Sequence, residues 1–229
     1  MKTLTKSDQK IRKRAKAHQK YYTSDGTQVP GVTTILGVID KSRMLVPWAN
    51  KLGLQGIESG KYVDETAVIG TLAHEMVQED LGGPMWDRAK YSPDQVDQAE
   101  NSFLKYLEWA KGRDMATRFI EMQMVSEKHR FGGTVDWYGI MDGLFWLIDI
   151  KTSKALYPEH MYQVSAYRKL LEETGNKVDR VGILRIGRSE DEGFEFRSMS
   201  SPELTSGWKV FASAHKLYLS VKDFERRQK

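Results

Sequence analysis

The chain has 229 residues, of which 40% are hydrophobic and 29% charged, with 35 Lys/Arg against 31 Asp/Glu. That supplies one sizeable core, and no apolar run approaches the roughly 20 residues that cross a bilayer. Cysteine is absent, which excludes disulfides, thiolate zinc sites, iron–sulfur clusters and cysteine nucleophiles, and leaves oxygen and histidine to hold any metal, a donor set suited to magnesium or manganese.

Charge is uneven along the chain. Eight of the Lys/Arg residues and one acid, Asp8, fall within residues 1–20, leaving 27 basic against 30 acidic residues elsewhere. A basic arm on a nearly neutral body suits contact with nucleic-acid phosphates; the plain alternatives are a solvated tail or a crude targeting peptide. The expected organisation is this arm followed by a single domain over residues 21–229. The start of the chain lacks the apolar segment of a secretory signal, so a soluble, intracellular protein with no membrane partner is expected.

From residue 21, Asp25-Gly26 reads as a turn before a β-rich run, Val32 to Leu36. Residues 43–60, carrying Trp48, and Gly70 to Leu81 read as helices, the second stopping at Gly82-Gly83. Residues 93–112 predict an amphipathic helix with Phe103, Leu104, Tyr106, Leu107 and Trp109 on its apolar side; these aromatics and Trp48 are expected in the core. Strands are predicted over 118–126, on either side of Asp142-Gly143, and over 181–187 and 194–199. Helices are predicted over 158–174, with Pro158 in the first turn and Gly175 beyond the end, and from Ser201-Pro202-Glu203 to about Phe224. The expected class is α/β, a central mixed sheet flanked by helices.

The stretch FGGTVDWYGIMDGLFWLIDIKTSK, residues 131–154, places Asp136, Asp149 and Lys151 among Val, Ile, Leu, Trp and Tyr. Charges are rarely buried in such runs unless they are paired or bind a metal. Asp142-Gly143 is the strongest short signal for a two-residue type I′ hairpin. With that turn, paired positions sum to 285, so Met141 faces Leu144 and Asp136 faces Asp149. Lys151, two residues beyond Asp149, shares their face. Val135, Trp137, Ile148 and Ile150 take the other. Two opposed carboxylates destabilise a ladder, and a divalent cation between them reverses that cost. The alternative is a plain Asp149–Lys151 ion pair with Asp136 on an exposed edge. The constellation suits metal-assisted phosphodiester hydrolysis: a bound ion polarises the phosphate and acidifies a water, and the lysine orients that water or neutralises developing charge.

Asp136 followed by Asp149-Ile150-Lys151 resembles the PD-(D/E)xK nuclease signature, with Val135 at the proline position. His74 in Gly70-Thr71-Leu72-Ala73-His74 resembles the histidine that precedes the core motif in RecB-like members. Gln163 and Tyr167 resemble their Q-x-x-x-Y motif, and Glu121 an acidic position on the preceding strand. The opening from Tyr22 to Leu36 is similar to that of phage exonucleases and a mitochondrial genome maintenance exonuclease. The resemblance covers about residues 21–200. It implies a restriction-endonuclease-like core and a magnesium- or manganese-dependent RecB-like exonuclease acting on DNA, single-stranded or at ends. A cytoplasmic setting in a phage or bacterial host, or a mitochondrial one, goes with it. It further implies Asp136, Asp149, the Ile150 carbonyl and His74 as metal ligands, Lys151 as the catalytic lysine, and Gln163 and Tyr167 at the active site or DNA backbone. Two other readings stand beside it: a structure-specific endonuclease of the same fold and a catalytically silent nucleic-acid-binding module. The sequence departs from the family where a glutamate often follows the histidine by four residues; here that residue is Gln78, then Glu79, which leaves the acidic group of this helix open. Polarity, processivity and oligomeric state are not encoded in these motifs.

Overall fold

The computed structural model describes residues 19–228, so all but the last two residues of the expected basic arm lie outside the described residues. Strands β1 (Tyr21–Tyr22) and β2 (Gln28–Val29) form a small antiparallel ribbon. Its turn is held by Asp25, whose carboxylate accepts hydrogen bonds from the Thr23 hydroxyl (2.6 Å) and the Thr27 amide (2.9 Å). The next run, expected as a strand, is a short helix instead, α1 (Val32–Leu36). Its apolar residues explain the change: Val32, Ile35 and Leu36 stand at i, i+3 and i+4 and are all buried, a spacing that satisfies a helix face and not strand alternation.

Helices α2 (Ser42–Leu54) and α3 (Ser59–Asp80) follow. The break between them falls at residues 55–58, earlier than the sequence suggests. Glu58 starts α3 by accepting from the amides of Gly60 and Lys61, both at 2.7 Å, the orphan donors of a helix start. Only Leu52 of α2 is buried, so this helix packs lightly. Helix α4 (Pro93–Ala110) opens on a capping box between Ser92 and Gln95. It buries Val96, Ala99, Tyr106 and Trp109, whereas Leu104 and Leu107, expected on that side, are exposed.

The central sheet has the order β3-β4-β5-β6-β7, with β3 Met115–Ser126, β4 Phe131–Met141, β5 Leu144–Lys151, β6 Arg180–Ile186 and β7 Phe194–Ser198. All neighbours are antiparallel except β5 and β6. That parallel step needs a crossover, supplied by α5 (Pro158–Glu173); α6 (Ser201–Arg227) ends the description. The architecture is thus the mixed α/β sheet flanked by helices that the sequence predicts. The hairpin turn is where expected: Asp142 and Gly143 have φ of 50° and 79°, the pair of positive values a type I′ turn demands. Pairing runs in the expected register from Met141–Leu144 to Trp137–Ile148.

Both sheet faces are covered. Tyr138, Leu147, Val181 and Ile183 pack with α1, α5 and α6. Trp137, Ile148, Ile150 and Leu184 pack with Val77 of α3 and with Tyr106 and Trp109 of α4. Val135, expected beside Trp137, joins Phe131 and Tyr138 on the first side. On β3, Met124 and Phe119 belong to that first side and Ile120 to the second. Alternation therefore breaks on both strands at Glu121 and Asp136, which sit between the Ile120–Trp137 and Met122–Val135 pairs. Glu121 has φ of 48°, a strained value for a residue with a side chain. Among the described residues, no helix is long and apolar enough to cross a membrane.

Candidate active site

The broken alternation turns Asp136 out of the ordinary strand pattern. Its Oδ2 accepts the Ile150 amide hydrogen at 2.8 Å, just past the last ladder pair. The Asp136 carboxylate thereby fixes the end of β5, and with it Asp149 and Lys151. Asp149 is fully buried, and neither of its oxygens has a hydrogen-bond partner among the described residues. Lys151 Nζ lies 2.5 Å from Asp149 Oδ2, an ion contact without hydrogen-bond angles. The ion pair offered as the plain alternative is therefore present, but Asp136 is not on an exposed edge beside it: its side chain is 15% exposed.

Two further groups converge on Asp136. His74 of α3 brings Nδ1 to 4.0 Å from Asp136 Oδ2. Glu121 comes from β3, and one ligand atom from each of His74, Glu121 and Asp136 lies within 4.8 Å of the others. Gly70 allows the approach of α3: a Cβ there would stand 2.7 Å from Thr152 Oγ1, just beyond β5. Gln78, one turn past His74, donates from Nε2 to Glu121 Oε1 at 3.0 Å. Glu79 turns away, accepting from the Trp86 amide at 3.3 Å. Glu121 of β3, and not an acid at residue 78, is the carboxylate that lies with His74 and Asp136.

Crowding sets the protonation of these groups. Partial desolvation, then the Asp136 and Asp149 charges, pushes the Glu121 carboxyl up to about 8, although the residue is exposed to solvent. Burial pushes Asp149 up to about 6 against the pull of Lys151. Burial likewise raises Asp136, opposed by Lys151 and by the Ile150 amide. For Lys151, burial alone would favour the neutral amine, but Asp149 and Asp136 outweigh it and hold the ammonium charged. His74 is driven down to about 4 by burial and then by Lys151, so its imidazole is neutral, the form that binds metals. Three carboxylates stand around one lysine, and the buried Asp149 is paired with it. This donor set of carboxylates and one neutral imidazole fits a hard divalent cation.

Gln163 and Tyr167 are brought to the same place from α5. Gln163 Nε2 donates to Tyr167 Oη at 2.7 Å. Burial, then the Asp149 and Asp136 charges, raises the Tyr167 hydroxyl far above the ordinary phenol value, so it stays a donor. Gly133 makes room for this ring; a Cβ there would meet Tyr167 Cε1 at 2.6 Å. Ile150 lines the adjoining cavity of about 540 Å³, as do His74, Asp136 and Lys151. A second hollow on the other side of His74 carries Glu75, Gln78 and Glu121. Trp48, expected in the core, instead lines the first cavity and is only half-buried. Tyr62, Lys154 and Arg188 also line it and were not singled out by any sequence motif.

No family model matches the chain. No curated protein matches it. Among solved structures it is similar to a "putative exonuclease" from Eubacterium rectale, with 12% identity, a TM-score of 0.47, and coverage of 69% of this chain and 68% of the other. It is also similar to an alkaline exonuclease from Laribacter hongkongensis, with 14% identity, a TM-score of 0.37, and coverage of 69% and 83%. The same enzyme in complex with dAMP gives a TM-score of 0.36. These likenesses are distant, and the residues of this chain carry the functional assignment.

Proposed function

We propose that the chain is a metal-dependent deoxyribonuclease that hydrolyses phosphodiester bonds as an exonuclease, on single-stranded DNA or at DNA ends, with magnesium or manganese as cofactor. The observation that carries this is the convergence of His74, Glu121 and Asp136 within 4.8 Å of one another, drawn from three separate elements, beside the buried Asp149–Lys151 pair. A chain gains nothing in stability from gathering three carboxylates at one place; a cation makes the arrangement favourable.

Asp136, Glu121, Asp149 and His74 would hold the ion, with the Ile150 carbonyl at the cavity wall as a further oxygen. The bound ion supplies Lewis-acid polarisation of the phosphate and a water of lowered pKa. Lys151, kept charged by Asp149 and Asp136, aligns the attacking water or donates to a phosphate oxygen as charge develops there. Tyr167, kept protonated and fixed by Gln163, offers a second donor from the α5 side. Water oxygen joins phosphorus as the bond to the leaving nucleoside oxygen breaks, with no covalent enzyme intermediate.

Digestion of linear DNA labelled at the 5′ or the 3′ end, with and without magnesium or manganese, tests the assignment, alongside a circular single strand. Mononucleotide release from linear DNA only when metal is added is expected. Cleavage of the circle would make the protein an endonuclease of the same fold. Absence of metal-stimulated cleavage on every substrate would leave only a binding module.

A further inference from the structure

The cavity beside Asp136 differs in character from the hollow across His74. The latter carries Glu75 and Glu121 and no Lys or Arg. The former carries three cations, Lys151, Lys154 and Arg188, and three aromatic rings, Trp48, Tyr62 and Tyr157. Lys151 is engaged with Asp149. Lys154 and Arg188 have no ion-pair partner for their side chains among the described residues. The rings come from three elements. Trp48 of α2 and Tyr62 of α3 meet edge to face, with centroids 6.0 Å apart, while Tyr157 comes from the loop before α5 and is steadied by His160. Neither Trp48 nor Tyr62 is claimed by a core cluster of the sheet.

Helix α2 is unusual in what it leaves uncovered. Met44, Leu45 and Val46 are each more than half exposed, so packing does not explain why Trp48 is held over the cavity. Further out, the hollow that shares Tyr62, Lys154 and Arg188 is lined also by Glu65 and Glu192, acids that would repel a continuing phosphate chain. The cationic and aromatic part is thus short. Its volume of about 540 Å³ lies within the roughly 300–1,000 Å³ of sites that enclose one small molecule. That volume suits a single nucleotide.

We propose that this cavity is a subsite for a single unpaired nucleotide next to the scissile phosphate, its base stacked on Trp48, whose ring Tyr62 steadies edge to face, and its phosphate held by Lys154 and Arg188. The proposal rests on the nuclease reading for the position of the scissile phosphate and gives that reading a specificity for single-stranded ends. Aromatic stacking requires an open π-face, which a paired base inside a duplex does not offer, and it tolerates any base.

The test is binding of the full chain to a fluorescent oligothymidylate in EDTA, where no cleavage interferes. The comparisons are the same oligomer with a terminal abasic site and a blunt hairpin of equal length. Trp48→Ala is expected to weaken oligothymidylate binding by roughly 5- to 150-fold, the range for loss of one base stack. Trp48→Phe should restore most of it, and the abasic oligomer should be indifferent to either change. Arg188→Ala, on a different element, should flatten the plot of log affinity against log salt by about 0.7, the slope of one neutralised phosphate on a single strand. Wild-type affinity in Trp48→Ala, or equal loss on intact and abasic oligomers, would overturn the proposal. Normal single-strand binding that depends on Trp48, with no metal-stimulated cleavage by the wild type, would overturn the nuclease reading and support the subsite. Cleavage without any Trp48 dependence of binding would do the reverse.

Discussion

Asp136 stands in for a backbone carbonyl: its Oδ2 receives the Ile150 amide at 2.8 Å where the β4–β5 ladder has ended. The side chain therefore has a structural task as well as its proposed metal task, and two substitutions separate them. Asp136→Asn keeps an acceptor for Ile150 and removes the charge. It should abolish metal-dependent cleavage while the melting temperature in EDTA stays the same or rises. Asp136→Ala should also abolish cleavage but orphan the Ile150 N–H, costing about 1–3 kcal/mol. Near-normal cleavage by Asp136→Asn would remove this residue from the catalytic site.

Lys151→Ala would leave the buried Asp149 without its cation. Breaking a buried pair from one side costs about 3–5 kcal/mol, so this variant should unfold at lower denaturant than Asp149→Ala. Acid should restore part of the loss, because a protonated Asp149 needs no partner. Single-turnover cleavage at saturating manganese should fall strongly even where calorimetry still shows metal binding. Metal binding lost with normal turnover at high metal would reverse the roles given to Lys151 and its neighbours.

His74→Ala should do the opposite to the metal dependence. The fully assembled site is weakened by one ligand, so the manganese concentration for half-maximal cleavage should rise at least tenfold, with partial recovery at high metal. An unchanged metal titration would show that His74 only packs against Asp136.

The pH dependence of stability has a definite sign. Glu121 and Asp149 have folded-state values raised to about 8 and about 6, above their ordinary values of 4.5 and 3.8. Each contributes stability that is fully present below its ordinary value and lost as pH rises through the folded-state one. His74, held down to about 4 by burial and then by Lys151, acts in the opposite sense below its ordinary value of 6.5, so in EDTA the melting temperature should fall chiefly between about pH 6.5 and pH 8. Glu121→Gln should remove the upper part of that fall, and manganese should oppose it in the wild type. A melting temperature in EDTA that climbs steadily across this range would contradict the crowding of charge at the site.

Residues 1–20 hold eight Lys/Arg and one acid. If they gather DNA through phosphates, their deletion should weaken binding at low salt and flatten the log–log salt slope by about 0.7 for each single-strand phosphate that is no longer neutralised. Turnover at saturating DNA should hardly change. An identical salt slope would make the segment a solvated tail.

The hairpin was legible because its information is local: a two-residue turn with a fixed conformation sets the pairings behind it as far as Trp137–Ile148, where the ladder ends before the expected Asp136–Asp149 pair. The helix starts at Pro158 and at Ser201-Pro202-Glu203 were legible for the same reason. Val32–Leu36 misled because β-branched residues favour strands until tertiary burial selects the i, i+3, i+4 set. The break in alternation at Glu121 and Asp136 was invisible because it belongs to a pair of strands, and neither sequence shows a turn residue there. That break is also why Val135 and Trp137 part company. Glu121 could be found only through the resemblance, while Trp48, Tyr62 and Arg188 meet through folding of distant segments and leave no spacing to read.

Gly70 governs the width of the whole site. The space its missing methyl leaves is taken by Thr152 Oγ1, 2.7 Å from where a Cβ would be, and His74 rides one turn further along the same helix. A methyl at residue 70 would have to turn the Thr152 hydroxyl aside, and a larger side chain would press on the same strand end, beside the 4.0 Å approach of the imidazole to Asp136. An increment of a single carbon atom thus sets the gauge of the jaw formed by α3 and the strand ends, and residue 70 is the screw by which its bite could be widened without touching a single one of the groups that grip.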